Sequence, residues 1–503
     1  MEVLQNLGFG LMIALTPINL IACTLGGIAG IIVGAMPGIG PVAGVALLLP
    51  LTFKMDPTTA IITLAALYYG NMFGSSISAI LINIPGDAPS IMTALDGYQM
   101  SKKGRAGQAL FMSFFSSFIA GLVGALLLAF LGTVLAEAAL EFGPPEFAAL
   151  IFLAMTLIGC ILGDSVVKGL FASALGLLLS SIGTDSMMGL ERMTFGSIEL
   201  IGGVPFIAFI IGIFGLTQVI QTLANPILDF DKLTFPKITY KSSMLSKEEW
   251  KRSWPAIWRG TFVGFFAGTI PGCGVTTATF ISYLTEKRVS KHPEEFGKGA
   301  IEGLASAEAA NNSASIGAFA PLLCLGIPGS STTAILLGGL MMWGLQPGPL
   351  LMVENKEFAW GLIASMITGD IILAIICFAC LPLLGYILKV PNSILMPTIV
   401  VISIVSAYCL NNSVFDIGVM TVAGLLGYIL ERHSYPLAPL AMTLILGPTF
   451  ETAVRQSFKI SQGDISIFFT RPISLGMIVA AVVLVVSPII YKTIKNNKKI
   501  ILD

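Results

Sequence analysis

Charge is scarce in this sequence. Only 11% of its 503 residues are Asp, Glu, Lys or Arg, while 55% are hydrophobic. A soluble domain carries about 25% charged residues, so this chain cannot cover a water-facing surface. Histidine is scarcer: His292 and His433 are the only two, both in polar stretches, which argues against a His-based catalytic or metal centre. The seven cysteines (Cys23, Cys160, Cys273, Cys324, Cys377, Cys380, Cys409) all lie in apolar segments. Cys377 and Cys380 spell CxxC without redox or metal context, and all seven read as packing residues. The start, MEVLQNLGFG, lacks a basic region, so no cleavable signal peptide is expected. The net charge of -1 carries no footprint for nucleic acid.

What the chain has instead is apolar runs of near-spanning length, such as residues 110–132 and 473–491. Each approaches the ~20 residues that a helix needs to cross about 30 Å of hydrocarbon. Membrane barrels alternate and show a weaker signal. The fold class read from this is an all-α polytopic membrane protein.

Two apolar runs are broken alike. GAMPGIGPVAG (34–44) has a downstream twin, AGTIPGCGVTTA (267–278). From each, the same order of parts follows. A PGxG turn comes first, then an Asn in a small-residue helix (Asn71 or Asn312). A second break comes next, IPGD (84–87) or IPGS (327–330), and later LGDSV (162–166) faces LNNSV (410–414). The separations drift slowly, 234, 241, 243 and 248 residues, as two halves with small insertions should. The reading is a helix outside the repeat over 4–20 (domain 1–20) and a first repeat over 21–222, with its hairpin tip at 37–41 and helix break at 84–90. A linker over 223–256 leads to a second repeat over 257–450, with its tip at 271–275 and break at 327–333. Residues 451–503 form a loop, a last helix and a basic tail.

The apolar stretches beside the first tip, 21–36 and 42–53, would rise about 24 and 18 Å as helices, short of a crossing. Those beside the second tip, 257–270 and 275–287, are no longer. Each pair reads as a re-entrant hairpin; the alternative is two ordinary helices with an external loop. Charge weighs between them. With both hairpins re-entrant and the halves inverted, 21 Lys/Arg fall on one side and 6 on the other, as the positive-inside rule requires. Five crossings then follow each hairpin, an odd number, which inverts the second repeat.

Inverted repeats with broken helices at the midplane mark secondary transporters. Hydrocarbon cannot satisfy free backbone groups, so irregular backbone at depth must line a cavity. A restarted helix aims free N–H groups and a positive dipole end into it, which suits a carboxylate. The candidate substrate contacts around the first tip and break are Gly38, Gly40, Pro41, Asn71, Ser75, Pro85, Gly86, Asp87 and Ser90. Around the second they are Gly272, Gly274, Thr276, Thr277, Asn311, Asn312, Pro328, Gly329, Ser330, Ser331 and Thr332. The simpler role of the Ser, Thr and Asp residues is to cap helices, and the two roles coexist. Candidate coupling-cation ligands are Asn83, Asp87, Glu308 and Asn312, because polar groups within the membrane are functional candidates. Glu308 and Asn312 share a helix face; the plainer reading is an interhelical hydrogen bond. Pairs such as Gly26 with Gly30 and Gly30 with Gly34 match small-xxx-small packing. No Ser/His or Asp/Asp pair has catalytic spacing, so no enzyme is expected.

PGIGPVAGVALLLPLTF, YYGNMFGSSISAILINIPGDAPSIMTALDGY, KGAIEGLASAEAANNSAS, IPGSSTTAILLGGL and GDISIFFTRPIS resemble the TctA family, the large membrane subunit of tripartite tricarboxylate transporters. The resemblance runs almost end to end. It implies uptake of a carboxylate (a tricarboxylate such as citrate, or a related acid) across the bacterial inner membrane, without a cofactor. It implies two partners, a periplasmic substrate-binding protein (TctC-like) and a small integral membrane subunit (TctB-like). It implies coupling to Na⁺ or H⁺ rather than ATP, and the lack of a GxxxxGK[ST] string agrees. The single Glu308 among neutral ligands favours Na⁺. PGCGV departs from the family's pattern of a second proline, which leaves the geometry at Cys273 and Val275 open. By analogy with other paired-hairpin carboxylate transporters, the hairpins and broken helices form the moving unit of an elevator. The competing function is a stand-alone permease or anion channel that needs no binding protein.

Overall fold

In the computed structural model, the structure describes residues 2–161, 165–185, 187–224, 238–389 and 392–485. Residues 162–164 of LGDSV, with Asp164, the linker lysines Lys232 and Lys237, and the tail lysines after Tyr491 lie outside the described residues. Among the described residues the regular structure is helical apart from a two-residue ladder, Gly183–Thr184 with Glu191–Arg192. Seven helices among the described residues are long and apolar enough to cross a membrane.

The chain divides into two compact units, and each takes segments from both halves of the sequence. The larger comprises residues 1–139 and 207–428. Its first half holds α1 (Glu2–Ala14), α2 (Pro17–Ala35), α3 (Gly40–Leu48), α4 (Pro57–Ile82), α5 (Ile91–Lys102) and α6 (Ala106–Ala139). The smaller unit comprises 140–206 and 429–503, with α7 (Pro144–Ile161) and α8 (Val166–Ser180). In the larger unit α9 (Phe206–Ile210) runs through a π-turn into α10 (Thr217–Ala224). Then come α11 (Lys247–Thr269), α12 (Gly274–Val289), α13 (Ile301–Gly317), α14 (Phe319–Leu325), α15 (Ser331–Met342), α16 (Leu351–Glu354), α17 (Lys356–Ala379), α18 (Asn392–Asn411) and α19 (Val414–Arg432). The smaller unit closes with α20 (Leu437–Ile460), α21 (Ile467–Thr470) and an apolar helix Pro472–Val485.

Two helix ends differ from the sequence reading. The single helix expected over 4–20 is instead α1 and the start of α2, because Pro17 sits at the first position of a new helix, where its missing N–H costs nothing. The second tip's first arm starts inside the polar linker, at the Ser246/Glu249 capping box of α11. α2 and α11 therefore have 19 and 23 residues, about 28 and 34 Å. The short-arm argument holds only for the second arms, α3 and α12, of 9 and 16 residues.

Both tips adopt one geometry. α2 stops at Ala35, Met36 N–H bonds Val33 O at 3.2 Å, and Gly38 and Gly40 take φ of 93° and 62°. α11 stops at Thr269, Ile270 N–H bonds Ala267 O at 3.2 Å, and Gly272 and Gly274 take φ of 82° and 67°. Only glycine takes these angles without strain, which accounts for PGxG at both sites. Cys273, at φ -61° and ψ -43°, leaves the second tip as tight as the first.

Small residues set the packing. A Cβ on Gly26, Gly30 or Gly34 of α2 would lie 2.2–2.3 Å from the carbonyl oxygens of Thr63, Leu67 and Asn71 on α4. Gly260, Gly264 and Gly268 of α11, each 234 positions on, meet Ser306, Ala310 and Ala314 of α13 in the same way, each partner 243 positions on. The register in space thus pairs Asn71 with Ala314. The alignment of Asn71 with Asn312 is corrected by two residues.

Candidate functional site

The first break begins where α4 ends. Asn83 takes the left-handed conformation (φ 59°) and terminates the helix. The chain then runs extended to Asp87 (φ -143°, ψ 171°), which caps a short 3₁₀ turn, Ala88–Ser90, leading into α5. Gly86 is pressed against the hairpin: a Cβ there would lie 1.8 Å from Gly34 O and 2.8 Å from Ser75 Cα. Ser90 Oγ lies 2.6 Å from both Asp87 Oδ1 and Ser75 Oγ, and Ser90 N–H donates to Asp87 Oδ1 at 3.3 Å. The Asn71 amide, oriented with its nitrogen toward the carboxylate, donates to Asp87 Oδ2 at 3.2 Å and accepts from Gly34 N–H at 3.1 Å.

The second break repeats this backbone 243 positions later. α14 ends at Gly326 in the left-handed region (φ 69°), and Ser330 (φ -146°, ψ 168°) caps α15. A Cβ on Gly329 would meet Ala318 Cα at 2.7 Å, the counterpart of Gly86 against Ser75. Ser330 Oγ accepts from Thr333 N–H at 3.3 Å, while Thr333 Oγ1 accepts from Ser330 N–H at 2.8 Å. The side chain is the difference: the position of Asp87 in the first break holds Ser330 in the second.

Each break is held by the other half of the sequence. Tyr68 OH, on α4, lies 3.1 Å from Ser330 Oγ. Thr279, on α12, donates to Pro89 O at 3.3 Å. α5 runs antiparallel to α13. Asp96 Oδ1 accepts three N–H bonds of 2.8 Å, from Gly297, Gly299 and Ala300, and its Oδ2 accepts from Tyr283 OH at 2.8 Å. Farther along, Glu308 accepts from Thr93 of α5 and, at 3.2 Å, from Ser117 of α6. The next turn of α13 carries Asn311. Asn311 is fully buried, and neither its Nδ2 nor its Oδ1 has a partner. In the 243-residue register Asn311 is the counterpart of Tyr68.

The structure brings Asn71, Ser75, Gly86, Asp87 and Ser90 into one cluster and Gly329 and Ser330 into another. Asn83 is exposed and serves as a helix terminator. Asn312 does not meet the Glu308 carboxylate; it donates to that residue's backbone carbonyl at 3.4 Å. Ser331, Thr276 and Thr277 are half-buried at helix starts, and Thr332 is buried behind Ser331. Gly38, Gly40 and Pro41 shape the first tip, with Gln218 Nε2 2.7 Å from where a Gly38 Cβ would be. Gly272 and Gly274 shape the second tip, and Pro85 and Pro328 lie within the extended chain of the breaks. Sequence reasoning missed Tyr68, Thr93, Ser117 and Gln218. Only Tyr68, one turn before Asn71, carried a signal, since it shares that face of α4.

In the smaller unit a charged cluster ties the loop after α8 to α20. Asp185 accepts from the Met188 and Met187 amides at 2.9 Å and from Arg455 at 2.7 Å, and Arg192 makes a two-pronged pair with Glu451 at 2.7 and 3.0 Å. The two amides, and then Arg455, hold the Asp185 carboxyl down at about 2. Because this pKa is lowered on folding, the stabilisation is present above about pH 4 and is lost as pH falls toward 2. Limited proteolysis should therefore find the loop equally protected at pH 5 and pH 8 and cut faster near pH 3. Arg455→Ala should speed cutting at neutral pH.

Among the described residues His292, Glu294 and Glu295 bring ligand-type atoms within 4.8 Å of one another. They sit at a loop surface, and Glu295 is already paired with Arg252.

Apolar helices of spanning length, packed through glycine around two matched helix breaks, define a multi-pass membrane protein. The chain belongs to the tripartite tricarboxylate transporter TctA family, whose profile matches residues 20–442. An Agrobacterium vitis protein described as an uncharacterized 52.8 kDa protein in the TAR-I ttuC' 3' region is 41% identical over 503 residues, 100% of this chain and 99% of the relative. A second from the same organism, in the TAR-II ttuC' 3' region, is 40% identical over 224 residues, 44% of this chain and 93% of the relative. No solved structure matches.

Proposed function

We propose that this chain is the large transmembrane subunit of a binding-protein-dependent, cation-coupled secondary transporter that imports carboxylates across the bacterial inner membrane by alternating access. The observation that carries the reading is the pair of breaks: two helix restarts with one backbone geometry, each fastened to the other half of the chain. Such restarts offer N–H groups and dipole ends to an anion at depth. The hydroxyls of Ser330, Ser331 and Thr332 add neutral donors, and Glu308 and Asp87 supply negative charge for a cation. The matched offsets support two inverted repeats with re-entrant hairpins, and an elevator motion of these elements follows by analogy. The family's tripartite character supports a small membrane subunit and a periplasmic binding protein as partners.

The test is uptake of labelled carboxylates into vesicles holding this chain and its small subunit, with and without the binding protein. Uptake should require the binding protein and an inward Na⁺ or H⁺ gradient; uptake without either would favour a permease or channel. Ser331→Leu and Asn312→Leu should cut uptake by more than about tenfold, since each places an apolar side chain where a polar one is used. Cysteine labelling at positions 55 and 291 should report opposite membrane faces, and same-side labelling would end the inverted topology.

A further inference from the structure

The two breaks share a backbone but not a charge, and this decides what each can hold. A restarted helix presents unpaired N–H groups and the positive end of its dipole. At the first break that place is already taken by an anion. Asp87 caps the turn into α5, with Ser90 N–H, Ser90 Oγ and Asn71 Nδ2 on its carboxylate. A substrate carboxylate arriving there would meet a like charge, which a low-dielectric site disfavours. At the second break the same place holds the neutral hydroxyl of Ser330, paired with Thr333 and Tyr68. Its dipole end remains uncompensated.

The charge balance points the other way for a cation. The acidic side chains are Asp87 and, one helix away, Glu308, whose donors are the hydroxyls of Thr93 and Ser117. Among the described residues no Lys, Arg or His pairs with either carboxylate. The titratable groups facing them are Tyr68 on α4 and each other. Buried charge needs compensation. Around Asp87 the ligand-type oxygens besides its own carboxylate are Ser75 Oγ and Ser90 Oγ, hard oxygens of the kind that hold hard cations. Three residues on from Glu308, Asn311 has an amide with no partner, though fully buried. Its counterpart Tyr68 reaches the second break.

We propose that the breaks divide the work: the second, at Ser330, takes the substrate carboxylate, and the first, at Asp87, takes a monovalent cation, Na⁺ or H⁺, with Asn311 completing the shell. The inference rests on the transporter reading and adds which break does which.

The test is thermal unfolding of the purified chain in detergent. Sodium chloride is compared with choline chloride at equal ionic strength, across pH 5 to 8, with and without citrate. Wild type should be stabilised by citrate and by one cation; a sodium shift at fixed pH identifies Na⁺, and a pH shift without sodium dependence identifies H⁺. Asp87→Ser, which copies the second break into the first, should lose the cation response. Ser330→Asp, the reverse copy, should weaken citrate at least about 100-fold, as a like charge demands, and keep the cation response. Asp87→Asn and Ser330→Ala serve if the swaps fail to fold. A citrate response kept by Ser330→Asp, or a cation response kept by Asp87→Ser, overturns the division and leaves the transporter reading standing. Wild type responding to neither citrate nor a cation overturns both.

Discussion

Gly30→Leu and Gly264→Leu should yield no folded protein. At Gly30 a Cβ alone would lie 2.3 Å from Leu67 O and 2.9 Å from Asn71 N, and at Gly264 it would lie 2.5 Å from Ala310 Cα. These are backbone atoms of α4 and α13, which cannot swing aside as a side-chain tip can. Both helices are themselves buried almost throughout, so they cannot retreat. Overpacking a core costs about 1–3 kcal/mol when side chains can adjust; with backbone as the obstacle the cost should exceed that range. The monodisperse fraction after detergent extraction checks this. Gly8→Leu is the control, because a Cβ there meets nothing within 4 Å. Wild-type yield of Gly30→Leu would mean that α2 does not pack on α4 through this face.

Asp96→Ala should be nearly as damaging, through hydrogen bonds rather than volume. One carboxylate caps the entrance to α13 from another helix, holding the Gly297, Gly299 and Ala300 amides and the Tyr283 hydroxyl. Removing it strands four donors, and a buried unsatisfied donor costs about 1–3 kcal/mol. The terms share one anchor and will not add fully, so a loss on the order of 3 kcal/mol or more is expected. Hydrogen exchange at residues 299 and 300 should speed up in the variant, with a lower unfolding temperature. Asp96→Asn keeps an acceptor for the amides and should fall between the two. Unchanged exchange in Asp96→Ala would show that the loop holds itself.

The tips and breaks were legible in the sequence because their signals are local. PGxG needs positive φ at its glycines, and IPGD and IPGS place a capping residue straight after an extended stretch. The register between the halves was less legible. Matching Asn71 to Asn312 follows identical letters, whereas packing follows the small residues that let backbones touch, and these align Asn71 with Ala314. The starts of α2 and α11 were also hidden, since a proline and a capping box extend helices beyond their apolar cores.

By itself the sequence determined that this chain lives in a membrane as helices, and that two of its segments break twice in the same way. Composition and backbone preference suffice for that, because both act within a few residues. Only the tertiary structure decided which side chains attend the breaks: Tyr68 at Ser330, Thr279 at Pro89, and Thr93 and Ser117 on Glu308. These partners stand 190 or more residues apart, and no local preference links them. Their meeting depends on how closely glycine and alanine let the helices approach, which is a property of the packed bundle.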